Sequence, residues 1–181
     1  MPHLELTRKI ARRFNSRYPA ANPVFPEPDA LLSEAPKILG LDGAQKMSKS
    51  RNNAVMLRAT ADETAALIKK ARTDSERQIT YEPDRRPEVA NLLLVASLCT
   101  GEAPEGIAAR IGDGGSGALK KLVTDALNAE LAPLRERRST FAKESTVVTD
   151  VLRRGIAHAN AIADATLREA RAAMNMDYGL G

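Results

Sequence analysis

Two lysines three residues apart flank a serine in the segment Lys46-Met47-Ser48-Lys49-Ser50. Each ammonium carries a full positive charge and three hydrogen-bond donors, and Ser48 and Ser50 add hydroxyls and backbone N–H groups. Such a segment is suited to closing over a polyphosphate. In nucleotidyl transfer, negative charge grows on the departing pyrophosphate. A cationic loop that meets it late in the reaction stabilises the transition state more than the ground state. The bland alternative is that a short Lys/Ser stretch is solvated surface, and the five residues alone do not separate the two readings.

The elements around this segment must place it. Leu6, Ile10 and Phe14 recur at helical spacing, which predicts a helix over about residues 3–15. Pro19, Pro23, Pro26 and Pro28 then break any helix. Short extended segments are expected at Ala30–Ser33 and Lys37–Leu41, followed by a turn-rich loop over Asp42–Asn53. Thr60-Ala-Asp-Glu63 is a capping box and opens a helix to about Arg72. Residues 73–86 are polar and irregular. Pro87 suits a first helical position and Gly101 a helix stop. The residues between them are apolar almost all round, so this helix is expected at the centre of a core. A short helix over 103–111, a helix carrying Leu119, Leu122, Val123 and Leu127, and a long last helix from Val148 to Met174 follow.

The Lys46–Ser50 pentapeptide matches the signature of class I aminoacyl-tRNA synthetases letter for letter, within Gly40-Leu-Asp-Gly-Ala-Gln-Lys-Met-Ser-Lys-Ser-Arg-Asn-Asn53. The rest of the chain resembles the bacterial tryptophanyl family in His3-Leu-Glu-Leu-Thr-Arg8, Ile10-Ala-Arg-Arg-Phe-Asn15, Thr73-Asp-Ser-Glu76 and Arg86-Pro-Glu-Val-Ala-Asn-Leu-Leu93. The resemblance implies that Lys46 and Lys49 bind the phosphates of ATP, which brings Mg2+ with it, and that Lys49 is the stronger catalytic candidate. It implies that Ser48 and Ser50 shape the loop and donate to phosphate, and that Met47 anchors it. Ile38 falls where the family's backbone meets adenine, although the gap from Ile38 to Lys46 is one residue shorter than the common pattern. The later helices are similar to an anticodon-binding region. The likeness also departs from the family. A His-x-Gly-His-type element, the tryptophan pocket and a Gly-x-Asp-Gln segment are not found. The expected architecture is mostly α: over 1–60, the C-terminal remnant of a Rossmann-type α/β catalytic domain (one helix, one or two short strands and the lysine loop), then over 61–181 a helical anticodon-binding-type domain. The chain reads as the second half of a synthetase. Its expected partners are tRNA(Trp) and either a second copy or a separate N-terminal half. A tRNA-binding or interaction module without catalysis is the competing expectation.

Composition narrows the remaining classes. The chain of 181 residues is 43% apolar and 28% charged, which fits a folded domain rather than a disordered one. No stretch reaches the ~20 apolar residues of a membrane span. The single cysteine, Cys99, excludes a disulfide scaffold, and two histidines leave no multi-histidine metal site. A cytoplasmic protein with no metal site of its own is expected. Residues 1–60 hold 10 Lys/Arg against 5 Asp/Glu, whereas residues 61–181 hold 17 against 18. Net positive charge is thus concentrated in the first third of the chain, which suggests a local anion site rather than a general nucleic-acid coat. Arg135, Arg137 and Arg138 form a basic cluster that is either a solvated helix face or, given the resemblance, a tRNA contact. Tyr81 is the candidate for stacking on a base, against simple packing. Gly112-Asp-Gly-Gly-Ser-Gly117 lacks the Lys-Ser/Thr of a P-loop and reads as an interhelix turn.

Overall fold

The computed structural model describes residues 2–19, 21–33 and 35–178. Among them run six α-helices: α1 (Pro2–Arg17), α2 (Ala61–Lys70), α3 (Pro87–Thr100), α4 (Pro104–Ile111), α5 (Gly115–Lys143) and α6 (Ser145–Ala173). The chain divides into two compact units, one of Ser33–Lys143 and one of Met1–Leu32 with Glu144–Gly181. The compositional break near residue 60 falls at the start of α2, inside the first of these.

In the unit Ser33–Lys143, local chemistry sets each helix end. Thr60 Oγ1 accepts from the Glu63 N–H at 3.1 Å, and Glu63 Oε2 accepts from the Thr60 N–H at 2.8 Å. The capping box therefore satisfies two backbone donors at the start of α2. Pro87 opens α3 where no intrahelical N–H partner is needed, and Gly101 closes it at φ +73°, a conformation that glycine adopts without strain. Ile68 and Ala71 at the end of α2, Ile79 of the irregular segment that follows, Leu92, Leu93 and Ala96 of α3, Ile107 of α4, and Leu119 and Val123 of α5 form one buried cluster. Residues on α3 point into it from several sides, which is why the helix is apolar all round: it packs on both α4 and α5. Each fully buried Leu or Ile contributes roughly 1.5–3 kcal/mol through removal from water.

The expected strands at Ala30–Ser33 and Lys37–Leu41 do not form. Among the described residues there is no strand, and Leu39 makes a single antiparallel bridge to Lys46. A strand needs a neighbour along its length, and here the neighbour of Leu39 on its other side is a side chain of α3, as described below.

In the other unit, α1 holds the proline-rich segment that follows it. Asn15 Nδ2 donates to the Phe25 carbonyl at 2.7 Å, and its oxygen accepts the Phe25 N–H at 3.2 Å. Phe14 and Phe25 meet edge to face with centroids 4.8 Å apart, and Arg8 Nε donates to the Pro28 carbonyl at 2.8 Å. α6 carries the expected apolar stripe, but Val148, Val151, Leu152, Ile156 and Ile162 are all exposed. Leu6 and Ile10 of α1 are exposed as well. Among the described residues α1 and α6 do not pack on each other.

Candidate functional site

The Lys46–Ser50 segment is the tip of a loop held at its base by four sets of polar contacts. The first is the turn itself. Gly40 donates its N–H to the Gln45 carbonyl at 2.8 Å, and Met47 donates to the Ile38 carbonyl at 2.9 Å, closing a clasp around the Leu39–Lys46 bridge. The second is Asp42. Its carboxylate accepts from the N–H groups of Ala44 and Gln45 and from Asn53 Nδ2, at 3.1, 3.2 and 2.8 Å. The hydrogen bond from Asn53, then those from the two backbone groups, hold the Asp42 carboxyl below the usual carboxylate range.

The third is Asn53, almost fully buried. Its oxygen accepts the Ser48 N–H at 2.8 Å, and its backbone carbonyl accepts the Leu41 N–H at 2.8 Å. The Asn53 side chain thus ties the lysine segment, at Ser48 and at the Lys46 carbonyl, to Asp42 of the turn before it. The close approach explains Gly40, where a Cβ would occupy the space of the Asn53 amide. The fourth is Asn91 of α3. Its oxygen accepts the Leu39 N–H at 2.8 Å, and its Nδ2 donates to the Leu39 carbonyl at 3.0 Å. Asn91 therefore occupies the place of a second strand. Its signal in the sequence is an isolated amide in the apolar run of α3; Asn53 and Asp42 carry no comparable signal.

At the tip, Lys49–Arg51 form one 3-10 turn closed by Asn52 at φ +54°. The Ser48 and Ser50 hydroxyls lie 2.9 Å apart and share a hydrogen bond. Arg51 is turned back onto Gln45 at 2.9 Å. The side chains of Lys46 and Lys49 are exposed, and their ammonium groups make no hydrogen bond or ion pair among the described residues. The loop therefore presents two uncommitted ammonium groups on a base with little freedom, while Ile38 and Met47 turn half-buried side chains toward α3.

The other predicted residues lie elsewhere. Arg86, 2% exposed, grips Asp74 in a bidentate pair, Nε to Oδ2 and Nη2 to Oδ1 both at 2.7 Å. Its Nη1 also donates to the Gln78 carbonyl at 2.7 Å and to Thr80 Oγ1 at 2.9 Å. The Thr73–Glu76 and Arg86 segments are thus joined by one guanidinium, which draws the Asp74 carboxyl down in pKa. Tyr81 is half-buried against the core cluster. Arg135 spends its donors inside the fold, on the Ala59 carbonyl at 2.8 Å and on Asn128 and Thr64 at 3.0 Å. Arg137 and Arg138 are exposed, and Arg138 lines a cavity of about 360 Å3 with Arg58 and Arg135.

A family described as tRNA synthetases class I (W and Y) matches residues 1–132. The chain belongs to this family. Among its relatives, the tryptophan–tRNA ligase of Gloeobacter violaceus is 38% identical over 179 residues, 96% of this chain and 52% of that protein. That of Aquifex aeolicus is 37% identical over 182 residues, covering 97% and 44%. The tryptophanyl-tRNA synthetase of Mycoplasma pneumoniae superposes with a TM-score of 0.75 at 24% identity, over 99% of this chain and 55% of that one. That of Campylobacter jejuni, in complex with ADP and tryptophan, gives 0.66 at 22%, over 96% and 53%. The structural likenesses show a shared fold. The chain spans about half the length of the curated relatives it matches. No single described helix is long and apolar enough to cross a membrane.

Proposed function

We propose that this chain carries the phosphate-binding loop and tRNA-binding helices of a tryptophan–tRNA ligase, and that it acts in ATP-dependent activation of tryptophan and its transfer to tRNA(Trp). The observation that carries the reading is the pair of uncommitted ammonium groups, Lys46 and Lys49, on the pinned loop of a synthetase-family chain. Attack of the tryptophan carboxylate on the α-phosphorus of ATP forms the aminoacyl adenylate and releases pyrophosphate. Lys49, at the tip, meets the charge that develops on pyrophosphate, and Lys46, beside the bridge, holds the phosphates in register. Ser48 and Ser50 exchange their mutual hydrogen bond for donation to phosphate. Met47 anchors the loop, and the Ile38 backbone borders adenine. ATP arrives with its Mg2+. Residues 1–60 are the catalytic part and 61–181 the tRNA-binding part, with Arg137 and Arg138 the free cations of the cluster. The tryptophan pocket comes from polypeptide outside these 181 residues, either a separate N-terminal half or a longer form of the chain.

The test is tryptophan-dependent ATP–pyrophosphate exchange on the purified chain, alone and with the N-terminal half of a related ligase. Exchange that Lys49→Ala lowers by at least about a hundredfold, without change in circular dichroism, supports catalysis through this loop. Exchange that survives Lys49→Ala refutes the phosphate role. A second reading, a tRNA-binding module without catalysis, draws on the half-length coverage of the relatives. Absence of exchange in both preparations, together with binding of tRNA, decides for it.

A further inference from the structure

A cavity of about 230 Å3 lies against the base of the loop. Ile38 and Met47 form one wall, Val95 and Cys99 of α3 another, and Leu127 and Leu131 of α5 a third. The polar side chain that borders it, Asn91, has its oxygen and its nitrogen engaged with Leu39. Burial raises the pKa of the Cys99 thiol, with Glu130 adding to the effect, so the wall stays uncharged. A water molecule needs two to four polar partners, and these side chains offer it none. The cavity opens to solvent on one side, where Leu57 and Leu98 of its lining are exposed, and its volume exceeds the about 150 Å3 of an apolar cavity that takes up benzene. The chemistry of the lining therefore favours an uncharged hydrophobic guest over an ion.

We propose that this cavity is a binding site for a small uncharged apolar molecule, one or two rings in size, whose occupancy sets the position of the phosphate loop. The coupling follows from the wall. Met47 and Ile38 make one of the two backbone hydrogen bonds of the clasp, Met47 N–H to Ile38 carbonyl. Their side chains line the cavity, with room for dispersion partners on that side. A guest supplies those partners only while the clasp is seated, so it favours the seated loop, and by linkage phosphate on the loop strengthens binding of the guest. The coupling rests on the phosphate-binding reading above; the cavity site does not.

The experiment uses toluene as the probe and pyrophosphate as the loop ligand, with methyl-13C methionine as the reporter. The expected result is a saturable shift of the Met47 methyl signal with toluene, and a pyrophosphate Kd lowered about fivefold at saturation. Val95→Phe and Cys99→Phe, which fill the space from α3, should abolish the toluene shift while circular dichroism is retained. Lys49→Ala should lose pyrophosphate binding and keep the toluene shift. A Met47 signal that does not move up to the solubility limit of toluene overturns the site, with no variant needed. A toluene shift that persists in both folded phenylalanine variants also overturns it. A pyrophosphate Kd indifferent to toluene overturns the coupling. Pyrophosphate binding that survives Lys49→Ala overturns instead the phosphate reading, and the toluene titration still decides the site.

Discussion

Arg86 shows how one side chain joins two distant sequence motifs. It is buried, its fork is matched to both oxygens of Asp74, and its remaining donors reach Gln78 and Thr80. Replacing it with Met leaves a carboxylate and a carbonyl without their partner, so Arg86→Met should cost about 2–3 kcal/mol in urea denaturation, less than the about 3–5 kcal/mol of a fully buried pair because Asp74 is partly open to solvent. The pair also sets an acid limb. The folded pKa of Asp74 lies below its unfolded value of about 3.9. Its contribution is therefore complete above that unfolded value and is lost as pH falls through the folded one. Asp74→Asn should flatten the stability curve below about pH 4 and leave its slope near neutrality unchanged, measured by urea midpoints across pH. The lysine segment stood out in the sequence through its match to the family signature, since its residue types alone left solvated surface as an equal reading. Its scaffold did not: Asn53 and Asp42 look like ordinary turn residues, and their roles depend on contacts that only the folded loop creates.

The helices were the readable elements because their ends and faces are written locally. The capping box at Thr60, Pro87 and Gly101 each mark a boundary that the structure places within a residue or so. The strands were not readable, because pairing is non-local and Leu39 takes its partner from Asn91, far along the chain. Asn91→Leu should therefore do more than fill space. It strands the Leu39 N–H and carbonyl, each costing about 1–3 kcal/mol if they stay buried. It should also weaken pyrophosphate binding, which a defect confined to the core would leave untouched; isothermal titration alongside thermal melts separates the two. Leu93→Ala on the same helix supplies that control. It should destabilise by about 2–5 kcal/mol and leave the pyrophosphate Kd unchanged wherever the chain is folded.

At the scale of the whole molecule, the placement of its arginines bears on the proposed tRNA contact. If Arg137 and Arg138 meet the tRNA backbone, removing both should reduce the slope of log K against log salt by roughly 1–2, because each lost phosphate contact releases about one counterion fewer. Arg135→Ala should instead lower the melting temperature, because its donors hold α5 to Ala59 and Thr64. Filter binding across a salt series and thermal melts distinguish the two kinds of arginine. The exposed faces of α1 and α6 carry Leu6, Ile10, Leu152 and Ile156 at helical spacing. Their periodicity identified the helices from sequence but could not say what covers them, since an amphipathic pattern fixes a face and not its partner.

The amide that Asn91 lends to Leu39 also divides the loop into two kinetic regimes. The Leu39 N–H is locked by a residue of the central helix, so its deuterium exchange has to wait for α3 to move or open. The N–H of Asn52 is held only within its own 3-10 turn, by the Lys49 carbonyl at 3.2 Å. A boundary between slow and fast exchange should therefore run through the middle of a loop only a dozen residues long, so that its tip samples conformations while its foot keeps the time of the core.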